Sequence, residues 1–362
     1  MRSTSRTSLL AGLAAGSLVL AACSSGGDAS ATGGGGDGGD CEWNIGYAEP
    51  AAAQEIDAVL DEALIAAGEQ AGVCVTVLDA ALDVNKQLQD VNQFIAQGMD
   101  AIIVFPLSPS SLNAALERAQ GQGIKVIGSS AVVTDEQPTG DFGPYDALFE
   151  QNSAVGGAKL LSDYVNQAVP AGGNALGVGI GVPVPSLQFM LENYQAGVTT
   201  GGGSLNWLAT VENPTDDIAG AQQVVSEATT RFQGARIDAV LAYNTSSAVG
   251  ARQALRGTPS QDAVIVGQNG DQIGVDAINN GQMDAMTDLV PWRQGLELID
   301  LVQRVLQEED HPTLTFGRVE LYTADNIADR RDWDEAVEAI RSGELTCENA
   351  GCISPEDATR PF

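Results

Sequence analysis

Residues 93–104 have the sequence QFIAQGMDAIIV and contain the end of one predicted helix and the body of one predicted strand. The helix pattern covers Val84–Gln97, and the strand Ala101–Phe105 is an apolar run that begins after Asp100. An apolar run without polar alternation is typical of a strand in a parallel sheet that is covered on both faces. A helix followed by such a strand predicts an α/β fold.

The same alternation of helix and strand continues on both sides of this stretch. Predicted helices are Ile56–Gln70, Val84–Gln97, Leu112–Gln120 with Ser110 or Ser111 as its cap, Asn152–Val169 and Asp334–Ile340. Predicted strands are Asn44–Ala48, Val73–Leu78, Ala101–Phe105, Ile124–Gly128, Ala175–Ile180, Leu205–Val211, Ala239–Ala242, Val264–Gly267, Met283–Leu289 and Thr313–Tyr322. Two doubly wound parallel sheets account for this order.

The alternation pauses at residues 132–145, which are rich in Thr, Pro, Gly and Asp. We take this pause as the boundary between two lobes. The predicted divisions are 41–150 plus 290–321 for the N-terminal lobe, 151–289 plus 322–330 for the C-terminal lobe, and 331–362 for a C-terminal appendage.

The first 22 residues are typical of a secretory signal, with Arg2 and Arg6 before the apolar run Leu9–Leu20. Cys23 follows small residues in a pattern that resembles the lipobox of bacterial lipoproteins, which predicts acylation of its thiol. The alternative is an ordinary signal peptide with an incidental cysteine. Residues 23–40 are almost all small or polar and predict a tether with a reach of ~20–25 Å. We therefore expect an extracytoplasmic protein held by lipid at the outer face of the cell membrane.

Charge and cysteines narrow the possible partners. The chain has 48 acidic and 17 basic residues and a formal net charge of −31, which argues against binding to nucleic acid or to anionic lipid headgroups. In an oxidising compartment, two disulfides are expected, one from Cys41 and Cys74 and one from Cys347 and Cys352. A metal site is not expected, because there is no C-x-x-C spacing and His311 is the only histidine.

Enzyme motifs are weak in this sequence. The glycines of residues 177–181 suggest a dinucleotide fingerprint, but the third glycine is misplaced and Pro183 follows where a helix should begin. There is no G-x-S-x-G elbow. Hydrolysis by paired carboxylates stays open as a glycosidase-like alternative without positive support. We predict a protein that is not an enzyme and has no cofactor.

Five segments in a fixed order carry a family resemblance. The fourth, for example, reads IDAVLAYN and is followed by the fifth, which contains VGQNG. The segments are residues 78–104, 123–127, 151–157, 237–244 and 264–283. Together they resemble the ribose-type, or type I, periplasmic binding proteins that bind sugars, whose lobes are also similar to the ligand domains of LacI-type regulators.

The resemblance implies two lobes joined by a hinge of three strands, which close around a small solute and then dock on an ABC permease. The three crossings would fall near 150–152, 289–291 and 321–323. A DNA-binding repressor of the LacI type is disfavoured by the leader and by the lack of a basic N-terminal helix-turn-helix pattern.

Side chains at the ends of the predicted strands and at the hinge are the candidate ligand contacts. In sheets of this kind, ligands bind beyond the carboxyl ends of the strands. The candidates are Tyr47, Glu49, Gln54, Phe105, Ser129, Ser130, Gln188, Thr215, Asn244, Asn269, Asp288 and Trp292.

The chain departs from the family at positions that matter for the ligand. Ser129 and Ser130 stand where relatives usually have an Asp-Arg pair, and Asn269 stands where an aspartate is common. Arg293 is the only basic residue near a predicted cleft position, so an anionic solute is disfavoured.

A neutral sugar or polyol is the first choice of ligand. A cationic amine is the second, bound by Tyr47, Phe105 and Trp292 together with Glu49 and Asp288. We expect a monomeric, lipid-anchored receptor that serves an ABC importer. The alternative is a sensor that presents the same body to a membrane kinase or chemoreceptor.

Overall fold

The computed structural model describes residues 41–131, 143–200 and 203–352. The predicted signal peptide, the tether and Cys23 lie outside the described residues. Within them, no helix is both long enough and apolar enough to cross a membrane.

The first sheet has six strands in the order β2-β1-β3-β4-β5-β11, and all neighbouring pairs are parallel. We call this sheet and the helices that cover it the first lobe. Its strands are β1 (Trp43–Glu49), β2 (Val73–Asp79), β3 (Ala101–Val104), β4 (Lys125–Ser129), β5 (Ala147–Glu150) and β11 (Leu314–Phe316).

The second sheet repeats this plan in the order β7-β6-β8-β9-β10-β12, with β12 antiparallel to β10 and the other pairs parallel. It forms the second lobe with its helices. Its strands are β6 (Gly173–Ile180), β7 (Leu205–Asn213), β8 (Ala239–Ala242), β9 (Val264–Asn269), β10 (Ala285–Asp288) and β12 (Glu320–Thr323).

Helices connect the strands and cover both faces of each sheet, which confirms the predicted fold class of two doubly wound α/β lobes. The helices are α1 (Glu55–Ala71), α2 (Val84–Gln97), α3 (Pro109–Gln120), α4 (Ala158–Ala168), α5 (Pro185–Thr199), α6 (Ile218–Arg231), α7 (Thr245–Leu255), α8 (Gln272–Asn279), α9 (Pro291–Leu306), α10 (Trp333–Arg341) and α11 (Cys347–Ala350).

The stretch 93–104 shows why the sequence folds this way. Helix α2 ends at Gly98, whose φ of 68° is the left-handed conformation that favours glycine. Phe94 lies flat on β1 at Gly46, where an added Cβ would stand 2.5 Å from the ring. All four residues of β3 are fully buried. The helix, the glycine that ends it and the buried strand therefore pack together as one unit.

The chain passes between the sheets three times, after β5, after β10 and between β11 and β12. The third passage lies at residues 317–319, earlier than the predicted 321–323, because the predicted strand Thr313–Tyr322 is two strands that belong to different sheets. The predicted limits of the two lobes as domains stay a prediction.

Two other local predictions are corrected. The helix α3 begins at Pro109 after Ser108, so neither Ser110 nor Ser111 is its cap. The predicted helix Asn152–Val169 begins with one π-helical turn, Ser153–Gly157, because the Gly157 amide donates to the Asn152 carbonyl, five residues earlier, at 2.8 Å, while the Asn152 side chain caps the turn by accepting from the Gly156 amide.

The C-terminal segment packs on the first lobe. Trp333, Val337 and Ile340 of α10 are buried in one apolar cluster with residues of α1 and α9. The structure joins Cys41 to Cys74 and Cys347 to Cys352, which are the two predicted pairs. The first disulfide links the start of β1 to β2.

Candidate functional site

A cavity lies where the carboxyl ends of the two sheets face each other. Residues from both lobes line it, and it leaves ≈ 100 Å³ that water-sized molecules can occupy. The lining residues are Pro50, Ala51, Gln54, Ile56, Asp57, Leu82, Phe105, Leu107, Gln151, Ser153, Ile180, Val184, Leu187, Met190, Asp216, Tyr243, Asn244, Gln268, Asn269 and Leu289.

Four of the predicted contact residues line this cavity: Gln54, Phe105, Asn244 and Asn269. Gln54 precedes α1 and Phe105 follows β3, whereas Asn244 follows β8 and Asn269 ends β9. Each therefore stands at the carboxyl end of its strand or at the start of the next helix. The predicted cleft geometry brings them together from the two lobes.

Asp216 forms hydrogen bonds with residues of both lobes. Its Oδ2 accepts a hydrogen bond from Gln54 Nε2 of the first lobe at 2.6 Å, and its Oδ1 accepts one from Asn244 Nδ2 of the second lobe at 3.0 Å. Burial raises the pKa of Asp216 to about 6, although these two amides oppose the shift. A second bond across the cleft runs from the Gln272 amide to the Glu55 carboxylate at 3.2 Å.

A buried amide forms the back wall of the cavity. Gln268 Nε2 donates to the Tyr194 hydroxyl at 2.9 Å and to the Ser153 carbonyl at 3.0 Å. Nearby, the Tyr243 side chain is 6% exposed, and its hydroxyl has no hydrogen-bond partner among the described residues. Tyr243 is itself one of the lining residues of the cavity.

Gln87 positions the wall that the first lobe contributes. Its Nε2 donates to the Phe105 carbonyl at 2.6 Å, and its Oε1 accepts from the Leu107 amide at 2.9 Å. The side chain is fully buried on α2. It therefore fixes the loop that carries Phe105 into the cavity.

Carboxyl groups are concentrated on the first-lobe side. Burial, followed by repulsion from Asp61, Asp216 and Asp79, raises the pKa of the cavity residue Asp57 to about 8. Burial, followed by repulsion from Asp79, also raises the pKa of Asp61 to about 7. Glu49 ends β1 beside Asp79, and burial with repulsion from Asp57 and Asp61 raises the pKa of Glu49 to about 9.

Asp79 differs from its neighbours. Burial raises its pKa, but hydrogen bonds from the Ala81 and Ala52 amides, at 2.7 and 3.2 Å, outweigh this effect and lower it. Asp79 is thus the member of the group that holds its negative charge most strongly.

Glu49 and Tyr47 lie behind the cavity wall. Both are fully buried, and Glu49 Oε1 accepts a hydrogen bond from the Ala51 amide at 2.8 Å. Tyr47 packs in the core of the first lobe. Ser129 and Ser130 are buried at the end of β4 and are also not among the lining residues.

Gln188 and Thr215 lie outside the cavity. Gln188 lines a separate surface groove beside α5 and β7. Thr215 is exposed, and its hydroxyl donates to Asp217 at 2.8 Å.

Asp288 and Trp292 belong to the hinge. Asp288 forms a buried ion pair with Arg330 at 2.8 Å and accepts a hydrogen bond from Trp333 Nε1 at 3.1 Å. Trp292 is 4% exposed and packs in the core of the first lobe, with the Arg293 guanidinium over its ring. Neither residue lines the cavity. The Asp288 carboxylate is bound by Arg330 and Trp333, and the Trp292 ring is enclosed in the core of the first lobe.

Sequence reasoning missed several polar lining residues: Asp57, Gln151, Ser153, Asp216, Tyr243 and Gln268. Asp216, Tyr243 and Gln268 are direct neighbours in sequence of predicted residues. A search that included every polar residue at the carboxyl ends of the strands could therefore have found them. Asp57 lies within a helix and gave no such signal.

The lining residues that can be charged at neutral pH are all acidic. None of the described lining residues is Lys, Arg or His. Within the described part of the chain, no group of three or more His, Cys, Asp or Glu side chains has the arrangement that a metal ion requires.

Comparison with known proteins agrees with the geometry. The family described as "Periplasmic binding protein domain" matches residues 45–310. The chain is 24% identical to the ribose import binding protein of Escherichia coli over 67% of this chain and 77% of that protein. It is 25% identical to the xylitol-binding protein of Mycolicibacterium smegmatis over 71% and 69% of the two chains. The crystal structure of the Caulobacter myo-inositol binding protein superposes with a TM-score of 0.71 at 20% identity, covering 84% of this chain and 100% of that one.

Proposed function

Because the chain belongs to the periplasmic binding protein family, we propose that it captures a sugar or polyol between its lobes and delivers it to an ABC importer. The relatives named for ribose and xylitol support this ligand class. The observation that carries the proposal is the cavity itself, whose amide, carboxylate and aromatic side chains come from both lobes. Such groups bind the hydroxyls and the C–H faces of sugars.

Closure explains how the solute would be retained. Gln54 and Glu55 of the first lobe already bond to Asp216 and to the start of α8 in the second lobe. A solute that contacts both walls adds to these bonds only when the lobes are together, so binding favours the closed form.

A thermal-shift panel of neutral sugars and polyols tests the proposal. A ligand present at a hundred times its Kd should stabilise the protein by about 2.7 kcal/mol. The bound solute should be recovered chemically unchanged, since the proposal includes binding without catalysis. Conversion of the solute to a product would contradict it.

A substitution at Asn269 tests whether the solute binds in this cavity or elsewhere on the protein. Its φ of 111° suits glycine, so Asn269→Gly removes the amide without backbone strain. This variant should weaken binding, whereas Asn280→Gly at the exposed end of α8 should not. Equal affinity in both variants would argue against this cavity.

The anchor is part of the same proposal. We propose that Cys23 carries the lipid, that the protein works outside the cytoplasm as a monomer, and that residues 23–40 tether it to the membrane. Cys23→Ser should move the protein from the membrane fraction to the soluble fraction. Continued retention in the membrane fraction would contradict acylation of Cys23.

A further inference from the structure

We propose that the solute carries a positive charge, and that it is an amine-bearing sugar or polyol whose ammonium group lies between Asp57 and Asp216. This inference rests on the proposed function, which it narrows from sugars and polyols in general to their amino derivatives.

Asp57 and Asp216 enter the cavity from opposite lobes. Asp57 lies in the first turn of α1, and Asp216 lies between β7 and α6. Asp216 is oriented by Gln54 and Asn244, which hold one oxygen each. Among the described residues, no group donates a hydrogen bond to the Asp57 carboxylate. One carboxylate is therefore held in place, and the other has its hydrogen-bonding capacity available to a ligand.

Among the described residues, no Lys or Arg forms an ion pair with Asp57, Asp61 or Asp79. Asp61, Asp79 and Asp216 repel the Asp57 carboxylate from α1, from the end of β2 and from the second lobe, whereas Glu49 at the end of β1, with its pKa raised to about 9, stays protonated at neutral pH. Lys86 attracts Asp79 and contributes to its lowered pKa, but its ammonium group pairs with Asp90 at 2.9 Å on α2. Buried carboxylates need a cationic partner or lose their charge. A ligand ammonium would supply that partner.

Tyr243 is the second, independent observation. Tyr243 lines the cavity, and its hydroxyl is buried without a partner among the described residues. A phenolic oxygen accepts a hydrogen bond from an ammonium group, and the rings of Tyr243 and Phe105 offer faces that attract a cation. An amine therefore matches the wall in both charge and hydrogen bonding.

The charge of the ligand determines how binding depends on pH. A bound cation stabilises the ionised carboxylates, so binding expels protons that Asp57 and Asp216 hold in the empty cavity. Since burial raises the pKa of these groups to about 8 and about 6, the affinity for an amine that stays protonated over this range should increase from about pH 6 to about pH 8. A neutral polyol does not select the ionised form in this way.

Paired probes test the inference by titration calorimetry. Each neutral solute is compared with its amino-deoxy analogue: D-glucose with D-glucosamine, D-galactose with D-galactosamine, sorbitol with glucamine, and myo-inositol with an amino-deoxy inositol. In the pair that fits the cavity, the amine should bind roughly ten- to a hundredfold more tightly than its neutral partner. Its affinity should also increase with pH over the range in which its own amino group stays protonated.

Two substitutions test whether the preference for the amine comes from the carboxylates of Asp57 and Asp216. Asp57→Asn and Asp216→Asn keep the side-chain shape, and each should reduce the preference for the amine about tenfold or more. Asp262→Asn is the matched control, because Asp262 is exposed and precedes β9 at the end of the strand opposite Asn269. The pH dependence of the unaltered protein provides evidence that does not require either variant to fold.

The outcomes distinguish the inference from the proposed function. Tighter binding of the neutral member of a pair, or equal binding of both members, would overturn the inference and leave the sugar receptor intact. A preference for the amine that survives both asparagine variants would overturn the assigned position of the ammonium. Failure of both members of every pair to bind would count against the proposed function, and with it the inference.

Discussion

Gln268 illustrates how one buried side chain shapes the site. It is the penultimate residue of β9 and almost completely buried, and its Nε2 connects Tyr194 of α5 with the carbonyl of Ser153 in the π-helical turn. Gly157 allows this approach, since an added Cβ there would stand 2.5 Å from Gln268 Oε1. The position thus joins the first crossing of the hinge to the core of the second lobe.

Replacing this amide should cost stability. Gln268→Leu keeps the volume similar but removes the donor to the Tyr194 hydroxyl and one of the two donors to the Ser153 carbonyl, which keeps the Ala158 amide, so the free energy of unfolding should fall by about 1–3 kcal/mol. Urea unfolding measures this change. Gln222→Leu on the exposed face of α6 is the control and should change it by less than about 0.5 kcal/mol. Equal effects of the two variants would show that the hydrogen bonds of Gln268 contribute nothing.

Glu49 should make stability depend on pH. Its pKa is raised from 4.5 to about 9, first by burial and then by Asp57 and Asp61. The folded state therefore keeps a proton that the unfolded chain loses above about pH 4.5, and the associated stability is lost as the pH rises toward 9.

Glu49→Gln should make the free energy of unfolding fall less steeply between about pH 5 and pH 8, by at most ~1.4 kcal/mol per pH unit. Unfolding in urea at several pH values measures the slope. Glu69→Gln, on the exposed side of α1, should leave the slope unchanged. A slope that Glu49→Gln does not alter would contradict burial of a protonated carboxyl.

At the scale of the element, α2 and α3 begin in different ways. Asp83 caps α2, because its carboxylate accepts hydrogen bonds from the Asn85 amide at 2.8 Å and the Lys86 amide at 3.1 Å. Ser108 precedes α3 without such a bond, and its hydroxyl instead contacts the Ser111 hydroxyl at 2.9 Å. Pro109 starts α3 with a backbone angle that already suits a helix.

The two caps should therefore differ in energy. Asp83→Ala should lower the free energy of unfolding by about 1 kcal/mol, because two amides at the start of α2 lose their acceptor. Ser108→Ala at the same position of α3 should have a much smaller effect. Chemical denaturation of both variants gives the comparison, and a larger loss for Ser108→Ala would be evidence against this assignment of the caps.

At the scale of the whole molecule, ion pairs hold the C-terminal segment against the hinge. The Arg330–Asp288 pair is almost fully buried, with side chains 7% and 3% exposed, and it joins the end of β10 to the segment before α10. Arg293 at the start of α9 pairs with Glu320 of β12 at 3.0 Å. The Arg330 guanidinium also stacks on Trp333 at 4.6 Å. The second and third crossings are thus each held by a guanidinium.

Breaking the buried pair should destabilise the protein strongly. Arg330→Gln leaves Asp288 buried without its counterion and should cost about 3–5 kcal/mol. Arg304→Gln removes an arginine from a more exposed pair with Asp300 and should cost less than about 1 kcal/mol. Addition of Asp288→Asn to Arg330→Gln should recover part of the loss in denaturant unfolding. No recovery in the double variant would indicate that packing of Arg330 on Trp333, rather than charge, dominates.

The sequence by itself determined the architecture. Burial of an apolar run and the period of a helix depend on residues that are close in the chain, so strands such as β3 and β8 and helices such as α2 could be assigned directly. The short strand β5 was missed because it follows the irregular segment 132–145. The order of the elements, together with the family resemblance, was enough to predict two wound lobes with a cleft between them.

Only the tertiary structure decided which polar residues face the cleft. The ends of strands indicated Asn244 and Asn269, which line the cavity, but they equally indicated Asp288, whose carboxylate pairs with Arg330 instead. Asp57 and Asp216 are far apart in the chain and approach each other only when the lobes stand together. Which side chain binds a given carboxylate, and which residues of the two lobes come into contact, depend on residues far apart in the chain. No local pattern in the sequence contains this information.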